Sequence, residues 1–216
     1  MNKLFIIYDA CYNHTMPQLQ PSAVENSTRA RILDAAELRF QAYGYGKTTM
    51  TEIAEDVGMS AANLYRYFHN KLDIGVACSN RCLQGRIDRL RQAARSGGHG
   101  AGQRLERFFL EDLNVTHEIV SERPHINEMV ELITTRKPEL IKARIRDIVS
   151  LLAEILAYGN ERGEFDVDDV VASAATVHAA LVLFELPIFV GLYSHAEYSG
   201  QARALARLLV QGLSRR

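Results

Sequence analysis

The segment from Thr49 to Phe68 constrains the fold more than any other part of the chain. From Met50 to Val57, apolar residues recur at the spacing of one helix face. Gly58 then supplies the positive φ that a tight turn needs, and Ser60 can cap a second short helix directly after the turn. The segment therefore predicts two short helices that cross at a tight turn.

The rest of the chain continues with helical spacing, and no sustained alternation of apolar and polar residues predicts a strand. We expect Ser27 or Thr28 to cap the first helix, Asn70 the fourth, and Asp166 or Asp168 the eighth. The predicted helices cover about 28–43, 49–57, 61–68, 71–95, 103–120, 124–135, 138–162, 167–191 and 196–213. The predicted fold is therefore all-α, with a three-helix unit at the N-terminus and a helical bundle after it.

Composition divides the chain into three parts. Residues 1–25 carry no helical period and contain two prolines, so we expect a disordered N-terminal arm. Whether Met1 or Met16 is the true start stays open at this point. Residues 26–75 hold the crossed helices, and residues 76–216, which include a glycine-rich linker near 96–102, form the larger helical domain.

Bulk charge gives no hint of the partner, because the net charge is only −1. Between Ser27 and Ala77, six basic residues are balanced by six acidic ones. Three cysteines form no paired framework and are interpreted as buried, reduced thiols. No apolar run reaches the roughly 18 residues that a membrane span requires. These features predict a cytoplasmic protein.

Several residues around the crossed helices have the chemistry of a DNA-binding surface. Hydroxyls and free N–H groups at the start of the first helix can meet a phosphate. The first turn of the second helix offers an amide and methyl groups that can meet base edges in a major groove. The candidate DNA-binding residues are Thr48, Thr49, Thr51, Ser60, Ala61, Ala62, Asn63, Tyr65, Arg66, Tyr67, His69 and Lys71.

Residues 28 to 77 resemble the DNA-binding domain of the TetR/AcrR family of regulators. The resemblance runs through Arg31-Ile32-Leu33-Asp34-Ala35-Ala36, Phe40, Gly44-Tyr45, Thr48-Thr49, Ile53-Ala54, Gly58-Met59-Ser60, Leu64-Tyr65-Arg66-Tyr67-Phe68 and Asn70-Lys71. It implies a nine-helix, Ω-shaped homodimer that represses transcription at an operator and is released by a small-molecule inducer. The resemblance implies no required cofactor.

The resemblance also assigns roles by position. It implies that four residues face bases: Thr51, Ala61, Ala62 and Asn63. It implies that four residues contact phosphates: Thr49, Tyr65, Tyr67 and Lys71. Arg66 stands where the family often has an aromatic or small residue, so the operator sequence stays open.

The predicted helices 167–191 and 196–213 are the candidates for a dimer interface. The first is apolar around much of its circumference, and the second carries a leucine stripe that includes Leu205, Leu208 and Leu209. The resemblance implies that both pair with their symmetry mates as a four-helix bundle. For Val177 and Leu181, an intramolecular core is an equally good interpretation.

A sensor pocket is expected among the helices from about 103 to 185. Its candidate polar residues are His117, His125, Glu128, Glu131, His178 and Glu185. Three interpretations stay open: a polar anchor for an organic ligand, a divalent metal site, or ordinary core and surface histidines. No HxxxH spacing occurs on one helix, so we predict no metal site.

Other classes of function have weaker support. Gly44 to Thr48 resembles a phosphate-binding loop, but Gln41 stands where that motif requires glycine. No nucleophile elbow and no HExxH motif is present, so we predict no enzymatic activity. A DNA-binding protein that is controlled by a protein partner, or that organises the nucleoid, is the remaining alternative.

Overall fold

The computed structural model describes residues 23–95 and 100–214, and this part of the chain is helical throughout. Its helices are α1 (Ala23–Tyr43), α2 (Met50–Val57), α3 (Ala61–Leu64), α4 (Lys71–Arg95), α5 (Ala101–Glu122), α6 (Ile126–Arg136), α7 (Pro138–Glu161), α8 (Val170–Ala180), α9 (Val182–Glu185) and α10 (His195–Leu213). A 3-10 turn at Pro187–Phe189 follows α9. The described residues contain no strand, only an isolated bridge between Phe165 and Ser214. The all-α prediction is confirmed.

The helices enclose two hydrophobic cores that share α4. The first half of α4 contributes Ile74 and Cys78 to the core of the N-terminal unit, where they meet side chains from α1, α2 and α3. Its second half contributes Ile87 and Leu90 to the larger core, which is built mainly from α5, α7, α8 and α10. One continuous helix therefore links the two units, and the boundary that we predict near residue 75 lies inside it.

Helix α1 begins earlier than predicted. The helix starts at Ala23, so residues 23–25 do not belong to a disordered arm, and neither Ser27 nor Thr28 caps the helix. Serine and threonine are tolerated inside a helix when the residues before them can also adopt the helical conformation. Glu25 in the first turn stabilises this earlier start, because its negative charge interacts favourably with the helix dipole. The rest of the predicted arm, residues 1–22, lies outside the described part.

The second of the crossed helices is shorter than predicted. Regular α-helical bonding ends at Leu64, and residues 65–67 form turns in which the Tyr67 N–H donates to the Leu64 carbonyl at 2.9 Å. Leu64 and Phe68 both lie in the core of the N-terminal unit, so the turns after α3 still bury the apolar side of this segment.

The predicted helix 167–191 is broken into three pieces. It begins at Val170, where Asp169 rather than Asp166 or Asp168 accepts the capping hydrogen bond. It ends at Ala180, and the chain resumes as α9 before Leu186 adopts an extended ψ of 120°. Pro187 explains the second break, because proline has no N–H and disfavours a helical conformation at the residue before it.

The remaining bounds agree with the predicted ones to within two residues. Asn70 caps α4, and its side chain accepts the Asp73 N–H at 2.9 Å. Part of the predicted glycine-rich linker, residues 96–99, lies outside the described residues, and the linker's last two residues already belong to α5. Among the described helices, none combines the length and the hydropathy that would be needed to cross a membrane.

Candidate nucleic-acid interface and cavity

Helices α2 and α3 form the predicted pair of short helices joined by a tight turn. Thr49 and Glu52 make a reciprocal cap on α2, in which the Glu52 carboxylate accepts the Thr49 N–H at 2.8 Å. Gly58 ends the helix with a φ of 74°, and Ser60 caps α3 by accepting the Asn63 N–H at 3.2 Å. Each end of the unit is therefore fixed by a residue that the sequence singled out.

Most of the candidate DNA-binding residues lie on the surface. The exposed ones are Thr49, Thr51, Ser60, Ala62, Tyr65, Arg66 and His69, and the half-buried ones are Ala61, Asn63 and Tyr67. These side chains are accessible to a partner in the described structure. Their contacts with bases or phosphates stay predictions.

Arginine side chains that the sequence did not single out support this surface. Arg29 donates to the Tyr67 carbonyl at 2.6 Å and lies over the Phe68 ring, so it holds the turn after α3. Arg39 pairs with both Asp56 and Glu52 on α2. The hydrogen bond from Arg39 lowers the pKa of Asp56, and the bonds from Thr49 are the main cause that lowers the pKa of Glu52. The guanidinium partly neutralises two carboxylates beside the predicted interface.

Thr48 is not a surface residue. Only 2% of it is exposed, and its hydroxyl donates to the Gly44 carbonyl at 2.9 Å. A DNA contact by the Thr48 side chain stays a prediction that this geometry disfavours, because the side chain is buried and its hydroxyl already has an acceptor. The threonine closes the loop between α1 and α2, and the sequence motif did not distinguish this role from a phosphate contact.

Lys71 is directed at the same loop. Its ammonium donates to the carbonyls of Tyr45 at 2.7 Å and Thr48 at 2.8 Å, and it lies over the Tyr45 ring. Burial lowers the pKa of Lys71. A phosphate contact by Lys71 stays a prediction that this geometry disfavours, because the donors already have acceptors.

Helix α6 contacts the N-terminal unit, which was not predicted. Glu128 accepts the Gly46 N–H at 3.1 Å, and its carboxylate lies against Gly44. Met129 packs on Gly75 of α4 and belongs to the core of the N-terminal unit. A residue expected in a ligand pocket, Glu128, thus joins the two units instead.

The histidines predicted to line one pocket lie at three separate places. The His117 ring packs edge-on against His195, with centroids 4.8 Å apart. His125 lies 3.5 Å from Glu128, and Glu131 is exposed. His178 is buried 3.2 Å from Glu185. Within residues 23–95 and 100–214, no group of three or more His, Cys, Asp or Glu side chains is placed to hold a metal ion.

His178 and Glu185 belong to a buried ionic cluster with Arg86 and Asp112. Arg86 donates to the fully buried Asp112 carboxylate at 2.6 Å and lies 3.8 Å from Glu185. Burial is the main cause that raises the pKa of Asp112, and contact with Glu185 raises the pKa of His178. Sequence reasoning did not single out Arg86 or Asp112, whose charges gave no sign of burial.

A cavity of about 120 Å³ lies where α1, α4, α6 and α7 meet. Its apolar lining includes Phe40, Cys78, Cys82, Met129, Ile133 and Ile141, and its polar lining includes Arg123 and His125. Burial raises the pKa of Cys78 to about 12 and also raises that of Cys82, so both thiols are neutral. Of the predicted ligand residues, His125 lines this cavity, whereas His117 and His178 do not.

Exposed apolar side chains lie on α8, α9 and α10 and on the segment between α9 and α10, and together they are referred to below as the apolar face. Val171, Ile188, Leu192 and Leu208 are each more than 60% exposed, and less exposed apolar side chains on the same segments are Val182, Leu183, Leu186 and Tyr193. Val177 and Leu181 are buried within the chain, which settles them as intramolecular core. The exposed face lies on the segments predicted to form a dimer interface.

Comparison with known proteins places the chain in a family. Residues 32–78 match the model of bacterial regulatory proteins of the tetR family, and residues 101–206 match the tetracyclin repressor-like C-terminal domain. The HTH-type transcriptional repressor BepR of Brucella suis is 28% identical over 165 residues, which cover 72% of this chain and 77% of BepR.

Solved structures share the fold. A TetR-family transcriptional regulator from Mesorhizobium loti has a TM-score of 0.75 and 19% identity, covering 90% of this chain and 100% of that one. SmeT, the repressor of a Stenotrophomonas maltophilia multidrug efflux pump, has a TM-score of 0.63 and 20% identity, covering 88% of this chain and 92% of that one. SmeT has also been solved in complex with triclosan. The crossed helices, the helical bundle and the two family matches together show that this chain belongs to the TetR family of transcriptional regulators.

Proposed function

We propose that the chain represses transcription by binding an operator as a homodimer in the bacterial cytoplasm, and that a small molecule releases it. The observation that carries the proposal is the first turn of α3, which begins at the Ser60 cap, exposes Ala62 and leaves Asn63 half-buried at the surface. A helix presented in this way fits the major groove. Thr51 and Ala61 complete the proposed base-facing set, with Thr49, Tyr65 and Tyr67 on phosphates.

The proposed release by a ligand is supported by the cavity where α1 meets α4, α6 and α7. A protein controlled only by another protein would not need an apolar cavity at that place. The triclosan complex of SmeT is a property of SmeT, and it shows that a protein of this fold can take a small aromatic compound. No cofactor is required in this proposal.

The proposed homodimer follows from the apolar face on α8, α9 and α10. Exposed apolar residues at this density mark a surface that is covered in the functional assembly. Two copies also double the contacts with DNA, which compensates for a DNA-binding unit whose charges are balanced.

The proposal is tested with the full chain and the DNA upstream of its own gene. We expect one preferred site in a gel-shift scan, with binding that weakens steeply as salt increases. Asn63→Ala should weaken binding by about 1–3 kcal/mol at that site and relax the preference at one base pair. Asn127→Ala, an exposed asparagine on α6, is the matched control and should bind normally. Equal affinity for all fragments at physiological salt would count against the proposal.

A further inference from the structure

We propose that the ligand site of this chain is the cavity where the DNA-binding unit meets the bundle, between α1, α4, α6 and α7, and that it takes an uncharged apolar molecule about the size of one aromatic ring. The regulatory part of this inference rests on the proposed function. The binding site itself rests on the packing of the bundle, the volume of the cavity and the chemistry of its wall.

The interior of the bundle, where the sequence predicts a sensor pocket, is already filled. Leu105, Phe108 and Phe109 of α5 and Leu152 of α7 lie in the larger core, and none of their surface is accessible. Side chains that border a space large enough for a ligand keep some accessible surface. A ligand inside this core would therefore have to displace packed side chains, whereas the cavity at the junction is already open.

The cavity borders the DNA-binding unit directly. Phe40 of α1 and Cys78 of α4 line it and also belong to the core of the N-terminal unit. Met129 of α6 lines it and packs against that core, while Ile141 of α7 closes it from the side of the bundle. A molecule in this space therefore contacts both units at once.

The volume of the cavity sets the size of the occupant. The cavity measures about 120 Å³. A dry apolar cavity of roughly 150 Å³ in another protein takes up benzene, so a space of this size suits one aromatic ring. A molecule with two fused rings requires more room than the cavity offers.

The wall of the cavity selects an apolar occupant. Its accessible surface is almost entirely apolar, and Phe40, Met129 and Ile133 contribute hydrocarbon and thioether groups to it. Two cysteines of the wall act as apolar groups, because burial raises the pKa of Cys78 to about 12 and also raises that of Cys82. The wall therefore holds a ring by packing and offers no thiolate for covalent capture.

The charged residues among the lining do not make the cavity a site for an ion. Glu37 pairs with Arg81 at 2.9 Å, and His125 lies 3.5 Å from Glu128. The Arg123 Nε is buried, and the same side chain lines a separate polar groove that also contains two carboxylates. A charged ligand would lose its hydration without gaining a partner, which is costly, so the cavity should exclude ions.

Helix α6 connects the cavity to the loop beside the proposed DNA-binding surface. Met129 and Ile133 of α6 form part of the wall. Glu128 of the same helix accepts the Gly46 N–H at 3.1 Å. A ligand that binds best when α6 is displaced weakens this contact and shifts the angle between the DNA-binding unit and the bundle.

The ligand class is tested by calorimetric titration of the full chain with two probes of similar size. Toluene carries the ring alone, and benzoate carries the ring and a negative charge. We expect toluene to bind and benzoate to bind at least tenfold more weakly. In the wild type, bound toluene should also give intermolecular NOEs to the Met129 methyl group, because this side chain lines the cavity.

Two variants change the space in opposite directions. Val130→Phe fills the cavity from α6 and should weaken toluene at least tenfold, whereas Val120→Phe, at a half-buried valine of α5 that does not line the cavity, should not. Ile133→Ala enlarges the cavity and should improve binding of naphthalene at least tenfold over the wild type. Ile145→Ala, at an exposed isoleucine of α7, is its matched control and should leave naphthalene unchanged.

Several outcomes would overturn the inference. They are a wild type that does not bind toluene, benzoate that binds as tightly as toluene, bound toluene without an NOE to Met129, and toluene binding that Val130→Phe leaves intact. If Val130→Phe does not fold, the absence of a gain for naphthalene in Ile133→Ala has the same consequence.

The site and the proposed function can fail separately. If the protein binds its operator but not toluene, the site is wrong and the repressor proposal stands. If toluene binds as expected while no DNA fragment is preferred, the site stands and the repressor proposal is wrong. Toluene that lowers operator affinity at least fivefold in the wild type, but not in Val130→Phe, would support both. Bound toluene without an effect on operator affinity would overturn the regulatory part alone.

Discussion

At the scale of single residues, the Lys71 side chain holds the loop between α1 and α2, which lies next to the proposed DNA-binding surface. Its ammonium binds two carbonyls of the loop between α1 and α2 and lies over the Tyr45 ring. Removing it leaves those acceptors without a charged donor, which costs about 1–3 kcal/mol.

We therefore predict that Lys71→Met lowers the free energy of unfolding in urea by about 1–3 kcal/mol, and that it weakens operator binding through the loop. Lys47→Met, at an exposed lysine of the same loop, is the control and should unfold like the wild type. If Lys71→Met reduces DNA affinity while leaving stability unchanged, Lys71 contacts phosphate directly and the structural role is wrong.

His178 gives the buried ionic cluster a pH dependence. It faces Glu185, and Arg86 and Asp112 complete the surroundings. Because the folded-state pKa of His178 is raised, its contribution to stability is fully present below the unfolded pKa of about 6.5 and is lost as the pH rises through the folded value.

We predict that the difference in free energy of unfolding between wild type and His178→Gln is largest at pH 5.5 to 6, and that it shrinks as the pH is raised toward 8. Chemical denaturation over this range measures it. His117→Gln, at a half-buried histidine outside the cluster, serves as the control for histidine removal. A difference that is constant with pH would show that His178 does not titrate against Glu185.

At the scale of helices, local signals predicted most of what the structure shows. Thr49, Gly58, Ser60 and Asn70 mark helix ends in the sequence, and each of them does so in the structure. These signals work because a cap is a contact between near neighbours in the chain. The predicted helix runs through Pro187 because apolar residues continue on both sides of it, although proline disfavours a helical conformation at the residue before it.

Contacts between helices could not be predicted in the same way. Two such contacts are the hydrogen bond between Glu128 and Gly46 and the ion pair between Arg86 and Asp112. Each joins residues that are far apart in the sequence and whose types are common on protein surfaces. The cavity at Arg123 depends on the packing of four helices, which no local pattern encodes. The turn that is proposed to face DNA was predictable because it lies in one short segment, whereas the position of the cavity was not.

Packing at the end of α7 leads to a prediction at this scale. A Cβ at Gly159 would lie only 2.2 Å from the Phe165 ring, so α7 and the segment after it fit only with glycine. We predict that Gly159→Ala lowers the free energy of unfolding by about 1–3 kcal/mol, as overpacked cores do. Gly85→Ala is the matched control on α4, because a Cβ there meets nothing within 4 Å. It should be neutral or stabilise by up to about 1 kcal/mol.

At the scale of the whole molecule, the proposed DNA-binding surface is expected to depend on the apolar face, because two copies of the chain are needed to bind two half-sites. The exposed turn of α3 is proposed to read a half-site, and the apolar face on α8, α9 and α10 is proposed to bring a second copy to the next half-site. A substitution on the apolar face should therefore weaken binding to DNA, even though that face is not part of the proposed DNA-binding surface.

Leu208 tests this dependence, since it is 67% exposed on α10. In a symmetric interface a substitution acts twice, and burial of each leucine is worth about 1.5–3 kcal/mol. Leu208→Glu should therefore raise the dimer dissociation constant on the order of a hundredfold or more, as measured by analytical ultracentrifugation, and should weaken operator binding in parallel. Leu38→Glu, at an equally exposed leucine of α1, should leave the dimer intact. A Leu208→Glu protein that remains dimeric at nanomolar concentration would place the interface elsewhere, because a charged group at the centre of an apolar contact cannot be accommodated without a partner.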